Sequence, residues 1–150
     1  MQFEIVPYTS VGPLLWSMLS TQVASLVGAA SRVSSNRAGN LVEFRDDATL
    51  SCIYDKVTKG LVEVSFSERK GVAFFGELDL VASSNLKIIR ALRERDASAM
   101  VGFGSVVFPK LGIALTGYLP NDEQIKAVSA FAEGRWNGVL AKMQPLGPTA

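Results

Sequence analysis

The sequence predicts an α+β protein of two similar units, each a short helix packed on a three- to four-stranded antiparallel meander. Three observations predict it. The segments LVEFR (41–45), TLSCIYD (49–55) and LVEVSFS (61–67) alternate as half-buried strands do. The segment SSNLKIIRALRERD (83–96) places apolar residues at helical spacing. The strand pattern then returns at an offset of 64, pairing Val42 with Val106, Phe44 with Phe108, Tyr54 with Tyr118, Val64 with Val128 and Ser65 with Ser129.

Taken in order, QFEIV (2–6) reads as a short strand and residues 8–13 as a turn. Ser20 or Thr21 is the expected cap of a first helix and Gly28 its closing residue, with Val23, Leu26 and Val27 on one face. Residues 29–40, small and polar, read as a loop. Asp46-Asp47 and residues 56–60 supply turns between the three strands. Residues 72–80 read as a further strand or as the lead into the second helix. That helix takes Ser83 or Ser84 as its cap and Leu86, Ile88, Ile89 and Leu92 as its apolar stripe. Lys87, Arg90, Arg93, Glu94 and Arg95 form its solvated face. Strands follow at 105–108, 111–118 and 124–133, with Asn121-Asp122 in a hairpin loop, and then a short helix over 135–143. The expected organisation is one domain, 1–143, in repeats of about 11–75 and 76–143, with 144–150 as a flexible tail.

On the first meander, the expected core face carries Val42, Phe44, Leu50, Cys52, Tyr54, Val62, Val64 and Phe66. The opposite face carries Glu43, Arg45, Ser51, Asp55, Glu63 and Ser65, open to water or a partner.

Composition excludes much chemistry. Fifteen basic residues face fourteen acidic ones, a net charge of +1, so there is no basic footprint for nucleic acid. The chain has no histidine, which removes Ser-His-Asp and Cys-His catalysis and imidazole metal ligation. Its one cysteine, Cys52, allows neither an intrachain disulfide nor a thiolate zinc site, and its alternation with core positions reads as a small buried hydrophobe. The opening MQFEIVPYTS lacks the basic start of a signal peptide, and no stretch is apolar for long enough to span a bilayer. A cytoplasmic, non-enzymatic protein without cofactor or metal is the expectation. Asp46-Asp47 and Asp122-Glu123 read as turn residues, since no calcium-loop spacing is present. Gly102-Phe103-Gly104 precedes a strand and so is no dinucleotide fingerprint. Trp16, Trp136, Tyr54 and Tyr118 read as core anchors, or as contact residues where exposed.

Two stretches carry a resemblance. VGPLLWSMLSTQVASLVG, through Gly12, Met18, Val23 and Gly28, resembles the opening of β-lactamase-inhibitor-protein-like modules and of outer-membrane-assembly lipoproteins of related build. Ser17 stands where that pattern has glycine. SVVFPKLGIALTGYLPNDEQIKAVSAFAEGRW is similar to the second half of small bacterial immunity proteins, through Phe108, Leu111, Gly112, Ile113, Ala114, Leu115, Asp122, Val128, Phe131 and Trp136. The resemblance implies a protein that neutralises a cognate toxin by occluding its active site. The expected contacts are Glu43, Arg45, Asp46, Asp47, Asp55 and Glu63, with Tyr54 as an anchor. Two other classes stand beside it. One is a small-ligand-binding domain or carboxylate-based enzyme. The other is a homo-oligomer, a homodimer being its simplest form, paired through a sheet edge or apolar patch.

Overall fold

The computed structural model describes residues 1–148. Most strands fall where the alternation predicts them. The elements run β1 (Phe3–Val6), β2 (Ser10–Val11), β3 (Leu14–Leu15), α1 (Ser20–Val27), β4 (Arg32–Ser35), β5 (Leu41–Arg45), β6 (Leu50–Tyr54), β7 (Leu61–Ser67), β8 (Ala73–Phe75) and β9 (Leu78–Asp79). They continue with α2 (Asn85–Arg95), β10 (Met100–Gly102), β11 (Ser105–Phe108), β12 (Ile113–Thr116), β13 (Ala127–Phe131), α3 (Asn137–Leu140) and β14 (Gln144–Pro145). The class is α+β, with antiparallel pairing dominant.

Nine strands form one antiparallel sheet in the order β14-β10-β11-β12-β13-β7-β6-β5-β4. A smaller sheet, β3-β2-β1-β8-β9, contains one parallel pair, Phe3↔Ala73 in β1 and β8. Residues 72–80 thus supply two strands to this second sheet. Other segments also depart from the expectation. Ser10–Val11, in the expected turn, pairs with β1 and with Leu14–Leu15, and Met100–Gly102 is a further strand. Residues 32–35 of the presumed loop pair with β5. Gln144–Pro145, the start of the presumed tail, pairs with Met100–Val101 on β10. Residues 149–150 of that tail lie outside the described residues.

One face of the large sheet, the small sheet, α1 and α2 share the main core. Phe3 packs its ring 5.2 Å from that of Phe66. Val23 of α1 and Ile88, Ile89 and Leu92 of α2 are buried against the same cluster, whereas Leu86 lies on the exposed side. Ser84 caps α2 by accepting from the Lys87 N–H at 3.2 Å. The cap of α1 is Leu19, whose N–H is taken by the Gln22 side chain at 2.8 Å; Ser20, the expected cap, is the first helical residue and its hydroxyl donates to Glu43. Gly28 follows α1 at φ +91, as glycine allows. No helix among the described residues is long and apolar enough to cross a membrane.

The ladder corrects the expected faces of β5. Glu43 stands opposite Cys52, and Arg45 opposite Leu50. Cys52 and Leu50 stand in turn opposite Val64 and Phe66 of β7. Glu43 and Arg45 therefore point into the core, and Val42 and Phe44 point away from it. A slip of one residue inverts every side chain of a strand. The four-residue turn 46–49 sets that register by placing Arg45 opposite Leu50. A separate irregularity corrects β7: Ile53 pairs with Glu63 but Tyr54 pairs with Leu61, which leaves Val62 without an opposite residue and puts Leu61, not Val62, in the core.

The outer face of the large sheet carries Ser51, Ile53, Glu63, Ser65, Ser129, Thr116 and Ser105. Beside them, Phe131, Val107, Ala114 and Met143 form a second apolar cluster, packed by Tyr8, Met100, Trp136 and Leu140. The apolar outer positions of β12 and β13 are thus buried beneath α3 and its flanking residues.

Candidate functional site

The residues predicted to meet a partner divide into three groups. Glu43, Arg45 and Tyr54 form a buried polar cluster in the main core, at 6%, 3% and 2% exposure. Glu43 accepts the Tyr54 hydroxyl at 2.7 Å and the Ser20 hydroxyl at 2.5 Å, which ties the first turn of α1 to the sheet. The Arg45 Nε donates to the Gly28 carbonyl, just past the end of α1, at 2.8 Å. Its Nη2 lies 3.2 Å from Glu43, close enough for an ion pair but misaligned for a hydrogen bond. Burial pushes the neighbouring Cys52 thiol up to about 11, partly offset by Arg45. Burial, reinforced by donation to Glu43, also raises the Tyr54 phenol. A thiol held protonated in this way is a packing residue rather than a nucleophile. None of these side chains meets solvent, so the open contact face expected on β5 is absent.

Glu63 occupies the outer face yet is also buried, at 9% exposure. Its Oε1 accepts the Trp136 indole N–H at 3.0 Å and lies 3.5 Å from the Arg135 Nε. Trp136 stacks on Phe131, with ring centroids 5.4 Å apart. Burial raises the Glu63 carboxyl above its ordinary range, against the opposing pull of Trp136 and Arg135. A raised folded-state value means that the native chain binds a proton more tightly than the unfolded chain. The contribution of Glu63 to stability therefore falls as pH rises from the ordinary carboxylate value through the raised one. Glu63→Gln is expected to remove that component. The difference between wild-type and variant stability, measured by urea unfolding at a series of pH values, should grow in favour of the variant across that window. A pH-independent difference contradicts the assignment.

Asp46, Asp47 and Asp55 reach solvent, but at opposite ends of the sheet. Asp55 is committed to its turn. Its Oδ2 accepts from the Thr58 N–H at 2.8 Å and the Val57 N–H at 2.9 Å, which holds its carboxyl below the usual range. Asp46 and Asp47 open the β5–β6 turn. Following the registers across the sheet puts that turn at the same end as residues 68–72, 103–104 and 117–126.

This loop end has the features of a contact surface. Phe103 and Ile125 are each 69% exposed. They are neighbours through Gln124, whose side chain passes directly over Gly104. Around them lie Asp122 and Glu123, and further along Glu68, Asp46 and Asp47. Six non-glycine residues of this end have left-handed backbones: Asp46, Asp47, Ala48, Glu68, Phe103 and Asn121. Asp and Asn tolerate that region, but Ala, Glu and Phe do not favour it. An exposed Phe at φ +53 is unfavourable twice, in backbone and in solvation. From β11 to β5 the row crosses five strand spacings, about 24 Å at the usual spacing. A surface of that length fits a macromolecule better than a small ligand.

Trp16 and Trp136 are both half-buried and pack on the two apolar clusters. Phe103 and Ile125 were not among the expected contacts. The legible signal was an aromatic between two glycines just before a strand, a pattern that suits a turn. No protein-family model, curated protein or solved structure matches this chain.

Proposed function

We propose that the chain is a non-enzymatic binding protein, a cytoplasmic immunity protein that neutralises a cognate bacterial toxin by covering its active site. The observation that carries this reading is the loop end. There, two exposed apolar side chains, Phe103 on a left-handed backbone and Ile125, sit beside Asp122, Glu123 and Glu68, with the Asp46–Arg69 pair further along. Exposed aromatic anchors ringed by polar residues are the usual core of a protein contact. The acids Asp122, Glu123 and Glu68 suit a toxin whose active site is basic. The likeness of residues 105–136 to immunity proteins supports the same reading, although its apolar members serve mainly as core residues.

We also read the fold as a duplication of one helix-plus-meander unit. The order helix, then four strands, occurs twice. The β7–β13 pairing is symmetric about Ser65↔Ser129, whose hydroxyls lie 2.7 Å apart.

The test is copurification with the product of the neighbouring gene, followed by affinity measurements on surface variants. Charge reversal at Glu43 or Glu63 reports on folding, because both are buried. Phe103→Ala and Asp122→Lys/Glu123→Lys report on contact. Phe103→Ala should weaken binding by about 30-fold, as loss of a central anchor does, with the thermal midpoint unchanged or slightly raised. Affinity unaffected by both variants sinks the loop-end reading.

A further inference from the structure

We propose that two copies of the chain associate about a two-fold axis by pairing β4 with β4, which joins their nine-stranded sheets edge to edge. This inference goes beyond the toxin-binding reading and stands without it. The two margins of the large sheet are treated differently. At one, the chain closes its own edge: β14 pairs with β10, and the Leu146 N–H donates to the Ala99 carbonyl at 2.9 Å. At the other, β4 pairs with β5 alone and all four of its residues are exposed.

The phase of the ladder says which groups are free. The Asn36 N–H donates to the Asn40 carbonyl at 3.0 Å. Bonded and non-bonded pairs alternate in antiparallel strands, so Ser34↔Val42 and Arg32↔Phe44 bond inward. The N–H and C=O groups of Val33 and Ser35 then point to the open side. The strand is short, four residues, but it carries no proline, no lysine and no inward charge. Its one cation, Arg32, lies over the Phe44 ring at 4.2 Å. Val33 is 57% exposed.

A second copy satisfies this edge reciprocally. In a register centred on Ser34, Val33 of each chain faces Ser35 of the other, and every outward N–H and C=O of both residues is used. Arg32 then stands opposite Asn36, so no like charges stand directly opposite each other; Arg37 of the other copy is its diagonal neighbour, and Arg32 is turned onto its own Phe44 ring. The charges outside the strand are complementary as well. Arg37, on the β4–β5 turn, and Asp47, on the β5–β6 turn, are both exposed, and neither forms an ion pair within the chain among the described residues. The two-fold brings Arg37 of one copy beside the start of the other's β4, about 10 Å, or two strand spacings, from the level of the other's Arg45, with Asp47 two residues further on. An arginine and an aspartate side chain close that distance, and the symmetry makes the pair twice.

Sedimentation velocity across a concentration series tests the dimer. The wild-type chain should show a concentration-dependent monomer–dimer equilibrium. Val33→Pro removes an outward N–H and spares the inner ladder. It should weaken the dimer by about tenfold or more, because each loss counts twice by symmetry, while far-UV circular dichroism stays the same. Arg37→Asp should also weaken it, and Arg37→Asp/Asp47→Arg should restore it, which keeps the test decisive if the proline variant unfolds. A wild-type chain that stays monomeric at every concentration overturns the proposal. So does a dimer that a folded Val33→Pro leaves intact, or one whose affinity the charge swap does not recover.

Discussion

Glu43→Ala is expected to lower folding stability by about 3–5 kcal/mol, the usual loss when one partner of a buried ion pair is removed. The carboxylate serves three groups at once: the Arg45 guanidinium, the Tyr54 hydroxyl and the Ser20 hydroxyl. Alanine leaves the Arg45 guanidinium and the Tyr54 hydroxyl buried without that acceptor, and the loss of the half-buried Ser20 bond loosens α1 from the sheet. Urea unfolding of three variants separates these terms. Glu43→Gln keeps a neutral acceptor for the hydroxyls and should lose less than Glu43→Ala. Glu43→Leu/Arg45→Met removes both charges and should lose less than the sum of its single variants, because apolar residues of similar volume replace a buried ion pair at little cost. Were Glu43 a surface contact, as the alternation of LVEFR suggests, Glu43→Ala would fall within about 0.5 kcal/mol of wild type.

Trp136→Ala is the second large effect, with an expected loss of about 3 kcal/mol, at the lower end for an aromatic truncation because the ring is only half-buried. The indole covers Phe131 and supplies the N–H that holds Glu63. Trp136→Phe keeps the stack and loses the donor, so it should cost about 1 kcal/mol. Trp136→Phe should raise the Glu63 titration further, since it keeps the cover and loses the indole hydrogen bond that pulls the carboxyl down. That upward movement is the readout that loss of packing alone does not produce. A Trp136→Phe chain that titrates as wild type does contradicts the role given to the indole.

How much of this was legible in the residues varies by element and for physical reasons. β6 and β7 were legible because their alternation matches one buried face. α2 was legible because an apolar stripe, a serine cap and a charged side coincide. β4 was not, because RVSS lies at a margin where no face is buried and hydrophobicity carries no information. β14 was hidden for the same reason. The faces of β5 were misread because hydrophobicity argued for Val42 and Phe44 inside. Two facts decided otherwise: the turn 46–49, which sets Arg45 opposite Leu50, and the hydroxyls of Ser20 and Tyr54 that make a buried carboxylate tolerable. Of the expected contacts, Asp46 and Asp47 reach the loop end, and Asp55 is taken by its own turn. Phe103 escaped notice because its meaning depends on exposure.

Amide hydrogen exchange of the chain, alone and with the captured product of the neighbouring gene, tests the central claim most directly. The account predicts new protection at residues 102–105 and 119–126, with the amides of 41–45 slow in both states. Capture of no partner, or protection that appears around an enclosed pocket and leaves the Phe103 hairpin unchanged, contradicts it.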